Sequence, residues 1–205
     1  MKGIFGLTVV LIIFISCQNE INKDNTQKII NEVIEKRDTI VAEIIPDKKE
    51  EDNIFYLNDT IRAYIDDPTN LSTNVRNNPE GQVILELPKD ADYFIYIIAQ
   101  KNRWFLVHEI HGVESNLDIP GGKGWIHGSV IGFGTRNYGG ESLGLFSEPD
   151  SLSDLVTTID HESGVRLVEI KEGWIKVEWE DDYGLWFQGW IRKEWLCGNP
   201  LTNCC

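Results

Sequence analysis

The chain has 205 residues, with 33 acidic against 19 basic side chains and a formal charge of −14. A body so acidic repels polyanions, and no basic stripe interrupts it, which excludes nucleic acid as a partner. The length allows one or two small domains.

Residues 1–17, MKGIFGLTVVLIIFISC, place Lys2 before an apolar run that ends in Ser16 and Cys17. The run is too short to cross a hydrocarbon core as a helix, and it has the layout of a secretory signal peptide. Its ending resembles a bacterial lipobox, although Phe14 stands where Leu is usual. That resemblance implies removal of residues 1–16 and attachment of a lipid to Cys17, tying the protein to a membrane through its N-terminal lipid. A plain N-terminal anchor helix is the alternative, and both readings export the rest of the chain. Loss of residues 1–16 takes away Lys2 and no acid, bringing the charge to −15.

Residues 17–58 follow as a charged tether. They carry Lys, Glu, Asp and Asn in quantity, have no aromatic before Phe55, and show one brief apolar stripe at Ile29, Ile30, Val33 and Ile34. A stripe of that size buries too little to hold a fold.

From about Asp59 short apolar runs alternate with Gly, Pro, Asn and Asp, and all seven Trp fall between residues 104 and 195. This pattern predicts short strands and a mainly β fold, built as a small sandwich or barrel. The sequence also repeats. Pro79 in "NVRNNPEG" and Pro149 in "GLFSEPDS" lie 70 residues apart, as do Trp104 and Trp174 in "WFLV" and "WIKV". Gly124-Trp125-Ile126 and Gly189-Trp190-Ile191 lie 65 apart, so the five-residue difference falls in one loop. Strand alternation puts Phe105, Val107, Ile175, Val177 and Trp179 on the core face, and turns Trp104 and Trp174 to the other face with Lys176.

"NVRNNPEGQVILELPKDADYFI", with Asn74, Val75, Arg76 and Pro79 in order, and "GWIKVEW" followed by "GWIRKEWL" resemble the bacterial SH3-like (SH3b) domain. The second copy departs from that pattern where Leu145 and Phe146 replace Val and Arg. The resemblance implies two small SH3-like β-barrels in tandem, at residues 59–131 and 142–196, joined by a Gly-rich linker at 132–141. Four glycines in "GFGTRNYGGE" make that linker flexible on its composition.

No Gly-x-Ser-x-Gly elbow occurs, and the mature cysteines other than Cys17 crowd the last nine residues, so a nucleophilic enzyme is not expected. His108 and His111 are three apart, which on a regular strand sets them on opposite faces; a cluster of His108, Glu109 and His127 would need a tertiary coincidence. Asp160, Glu162, Asp181 and Asp182 read as loop-tip charges, and "DDPTN" and "EWEDDYG" lack a recognisable calcium pattern, leaving calcium open. No cofactor is expected.

In the tail, residues 197–205, an oxidising compartment lets Cys197 pair with Cys204 or Cys205, with zinc as the rival. The SH3b resemblance implies a non-catalytic, lipid-anchored binding module of the cell envelope, at the periplasmic or surface face of the outer membrane. Its partner would be a peptidoglycan peptide or an envelope protein, the latter making it a scaffold. Candidate ligand contacts are Trp174 and Trp195 in the second copy, with Tyr183, and Trp104 in the first, where Val130 replaces Trp195. On that ground residues 142–205 alone are expected to carry the binding.

Overall fold

The computed structural model describes residues 54–69, 71–113, 116–199 and 201. The signal peptide, the lipobox Cys17, nearly all of the tether, and Cys204 and Cys205 lie outside these residues. The remainder is mainly β, as the alternating runs predict.

The strands are β1 (Phe55–Ile65), β2 (Thr73–Arg76), β3 (Val83–Leu87), β4 (Tyr93–Lys101), β5 (Trp104–Gly112), β6 (Asn116–Leu117), β7 (Gly124–His127) and β8 (Ile131–Thr135). They continue as β9 (Leu143–Phe146), β10 (Leu155–Ile159), β11 (Gly164–Lys171), β12 (Trp174–Glu180), β13 (Trp186–Arg192) and β14 (Leu196–Cys197). Two single-turn 3-10 helices, η1 (Gly128–Val130) and η2 (Lys193–Trp195), follow β7 and β13. All described pairings are antiparallel within one sheet, ordered β10-β9-β13-β12-β11-β8-β1-β4-β5-β7-β2-β3. Hydrophobic alternation explains the strands: in β4 the side chains of Tyr93, Ile95, Ile97 and Ala99 are buried in turn.

The repeat seen in sequence is a repeat of hydrogen-bond register. Trp104 pairs with His127 and Val107 with Gly124, while Trp174 pairs with Arg192 and Val177 with Gly189. In both hairpins one residue is skipped, since Ile97 faces Val107 before Ala99 faces Leu106, and Leu167 faces Val177 before Glu169 faces Lys176. Arg76 opposite Trp125 is matched by Phe146 opposite Trp190. A Cβ on Gly124 would lie 2.4 Å from Val75 Cγ1, and one on Gly189 would lie 2.9 Å from Leu145 Cβ, so each glycine admits the strand that crosses it. Leu145 therefore takes the place of Val75, and β9 is the counterpart of β2 despite the change of residues.

The stretch expected as a flexible linker begins differently. Residues 131–135 form β8, whose Ile131, Phe133 and Thr135 are buried. β8 closes the first half by pairing with β1 through Tyr64↔Gly132 and Ile65↔Ile131, and it opens the second by pairing with β11 and β14. Glycine content hid a strand in which every second residue is a core residue. A Cβ on Gly132 would come within 2.7 Å of the Tyr64 ring, so that glycine is there for close packing.

The core runs without interruption through both halves, from Val75, Ile95 and Phe105 to Val165, Ile175 and Ile191, with Ile131 and Phe133 of the shared strand among them. The described residues belong to one compact unit. At the junction Gln100 donates from Nε2 to the Ile170 carbonyl at 2.7 Å and accepts from the Ile170 N–H at 2.8 Å. Arg103 reaches Glu178 at 3.0 Å, and the backbone at Gly128 sits so close to the Leu167 carbonyl that a Cβ would be 2.4 Å away.

Candidate functional site

Each half places a Trp at the head of its middle strand, flanked by the end of one strand and the end of another. Around Trp104 these are Arg76 at the end of β2, whose guanidinium carbon is 6.0 Å from the ring centroid, and His127 at the end of β7, ring to ring at 5.1 Å and 69°. Around Trp174 they are Phe146 of β9, edge-on at 5.8 Å, and Arg192 of β13 at 4.6 Å. The register repeat makes these two sets equivalent.

Their exposure differs. Trp174 is only 6% exposed, because Phe146 covers the face that Arg76 leaves partly open beside Trp104. Trp104 is half-buried and belongs to a small outer cluster with Ala99, Leu106 and Trp125. Trp195 is partly buried against the main core, the same role that Val130 has in the first half. The face turned away from the core at Trp174 is thus covered by a neighbouring ring, which period-two alternation does not register.

Tyr183 is 89% exposed, at the tip of the β12–β13 connection. The Asp181 carboxylate accepts the N–H groups of Tyr183 and Leu185 at 2.9 and 2.8 Å and so shapes the turn. Trp174 heads β12 and Tyr183 lies in the turn beyond its other end, with a strand of about 20 Å at the usual rise between them, so they do not meet in one groove. Beside Tyr183 the structure exposes Leu185 and Trp186, with the Arg166 guanidinium 5.3 Å from the Trp186 centroid. Sequence reading passed over these two; the signal was the clustering of "YGLW" at a turn.

The histidines are arranged by a bulge. Glu109 pairs with Tyr96 and Val107 with Ile97, so His108 is looped out of register, and both His108 and His111 approach the Glu109 carboxylate, at 3.4 and 3.0 Å. Opposite faces, as expected for an unbroken strand, do not result. His127 turns away to Ser129, whose N–H it accepts at Nδ1. Burial, and then the charge of Arg103, hold His127 below the usual imidazole range, with Glu178 opposing them. No group of three or more His, Cys, Asp or Glu among the described residues is arranged to hold a metal ion.

His161 and Asp182 lie 3.5 Å apart and link the two loops that carry the acidic tips. Asp67 is held below the usual carboxylate range: burial pushes it up, but hydrogen bonds from Thr69 and Thr73 prevail. Cys197, buried in β14, is disulfide-bonded; Cys204 and Cys205 lie outside the described residues.

No family model matches the chain, and no curated protein matches it. Among solved structures it is similar to NlpC2 from Trichomonas vaginalis at 17% identity and a TM-score of 0.27, over 68% of this chain and 48% of that one. NlpC1 from the same organism gives 14% identity and a TM-score of 0.27, over 68% and 47%. The chain spans about half the length of these structures, and a likeness that loose carries no argument about activity.

Proposed function

We propose that the protein is a non-catalytic module of the cell envelope, anchored by a lipid on Cys17, that recognises a peptidoglycan peptide or a similar ligand through shallow SH3b-like grooves. The leader sequence and the SH3b resemblance support this reading. The observation that carries it is the repeated frame, which sets an aromatic ring at the head of the same strand in each half and brings a guanidinium over it.

The accessible ring is in the first half, so Trp104, with Arg76 and His127 beside it, is the working contact in place of Trp174. A partly exposed indole supplies large contact area at little entropic cost. A second reading, a scaffold for an envelope protein, draws on a separate observation, the exposed Tyr183, Leu185 and Trp186.

Co-sedimentation of the full chain with purified sacculi separates the two. Trp104→Ala is expected to weaken sedimentation about tenfold while Trp186→Ala leaves it unchanged, a tenfold change being about 1.4 kcal/mol. Sedimentation that survives Trp104→Ala, or its absence in the unaltered chain, overturns the groove reading.

A further inference from the structure

The two halves differ at one cross-strand position. In the first half Tyr64 of β1 is paired with Phe94 of β4, an aromatic residue on each strand. Seventy residues on, the corresponding pair is Gly134 of β8 facing Gly164 of β11. Both rings are gone, and a cleft of about 300 Å³ lies over the glycine pair. Neither glycine is demanded by its backbone or by crowding: neither has a positive φ, a Cβ on Gly134 would meet only the Cys197 carbonyl at 4.0 Å, and one on Gly164 only Tyr64 Oη at 3.9 Å. Space that side chains could fill is left open.

The walls are chemically specific. Tyr64 and Tyr138 flank the glycine floor, and Glu162 supplies the one charged side chain among the described lining residues. The Glu162 carboxylate makes no hydrogen bond or ion pair among the described residues. Burial, and then the nearby charge of Asp66, push the Tyr64 phenol up to about 12, so it stays protonated and offers a hydrogen-bond donor across physiological pH. Thr135, also in the wall, is already engaged, donating to Asn137 at 2.8 Å and accepting from the Ser163 N–H at 2.8 Å. What remains free is a carboxylate, a phenolic donor and a flat backbone floor. A space of this volume admits a small molecule and no folded chain.

We propose that the Gly134–Gly164 cleft is a binding site for a small ligand bearing a primary ammonium group, an amino acid or a short peptide end, with Glu162 receiving the ammonium and Tyr64 donating to a ligand carbonyl or carboxylate. The site is separate from the Trp104 groove and does not depend on the envelope reading.

The test is selective 15N-glycine labelling of the full chain, titrated with lysylalanine and with the same dipeptide acetylated on both amines. Lysylalanine is expected to shift the Gly134 and Gly164 amides saturably, and the acetylated form to bind at least about tenfold more weakly, as loss of a charge-assisted contact requires. Gly164→Phe restores the ring of the first half and is expected to abolish the shift at Gly134 while the chain still unfolds in one transition. Glu162→Gln, on the exposed rim, leaves the fold untouched and is expected to weaken binding about tenfold. Absence of saturable shifts with lysylalanine, equal binding of the acetylated form, or undiminished binding by Glu162→Gln overturns the proposal.

Discussion

Gln100 shows how a single buried side chain joins what the sequence presents as two copies. Its amide satisfies both backbone groups of Ile170, the residue 70 positions on, in a site where neither group can turn to water. Gln100→Met keeps the length of the side chain and strands both, so the loss expected is about 2–6 kcal/mol, read from denaturant unfolding, since each buried group left unpaired costs about 1–3 kcal/mol. A loss under about 0.5 kcal/mol would mean that these groups find other partners. Nothing in the sequence marks Gln100, because its importance lies in meeting a residue of the other copy. His127 adds a pH dependence. Its pKa is lowered from 6.5 in the folded state, so below pH 6.5 the unfolded chain takes up the proton first and stability falls with falling pH, toward the lower folded value. His127→Asn retains an acceptor for the Ser129 N–H without titrating, and is expected to flatten the decline in stability between pH 7 and 5. Equal slopes in the two proteins would assign the decline to other groups.

Among the elements, the strand cores were legible and the shared strand was not. Phe105, Val107, Ile175, Val177 and Trp179 are buried as period-two alternation requires. β8 was not legible because the glycines of "IGFGT" suggest flexibility, whereas the residues between them carry the core and Gly132 lets Tyr64 lie close. The covered face of Trp174 escaped for another reason, since Phe146 belongs to a strand whose position only the tertiary register fixes. The turn at η1 makes the consequence measurable. Gly128→Ala presses a methyl group toward the Leu167 carbonyl, where backbone must give way, and is expected to cost about 1–3 kcal/mol. For a unit of this size each kcal/mol lowers the melting temperature by about 2–4 °C. Because the affected contact joins the two halves, the whole unit is expected to shift as one calorimetric transition. Two resolved transitions, with only one displaced, would show that the halves melt independently.

For the molecule as a whole, one core and one strand common to both halves mean that a fragment boundary must be placed by hydrogen bonding and not by sequence repeat. A piece spanning residues 142–205 contains every residue of the second copy as sequence defines it, yet it omits β8. Without β8, Val165 loses Phe133, Leu196 loses Thr135, and Cys197 loses Gly134 across the sheet. The side chain of Phe133, 1% exposed, is also removed from the core, leaving a void that adds a cavity cost to the lost burial. Small all-β units have little stability to spare. Residues 142–205 are therefore expected to give poorly dispersed amide spectra, whereas residues 131–205, which regain β8, are expected to give a dispersed spectrum at lower stability than the intact chain, because Gln100 and Gly128 are still missing. A dispersed, cooperatively unfolding 142–205 fragment would show that β11 and β14 need no shared strand, and would restore the second copy as a domain in its own right.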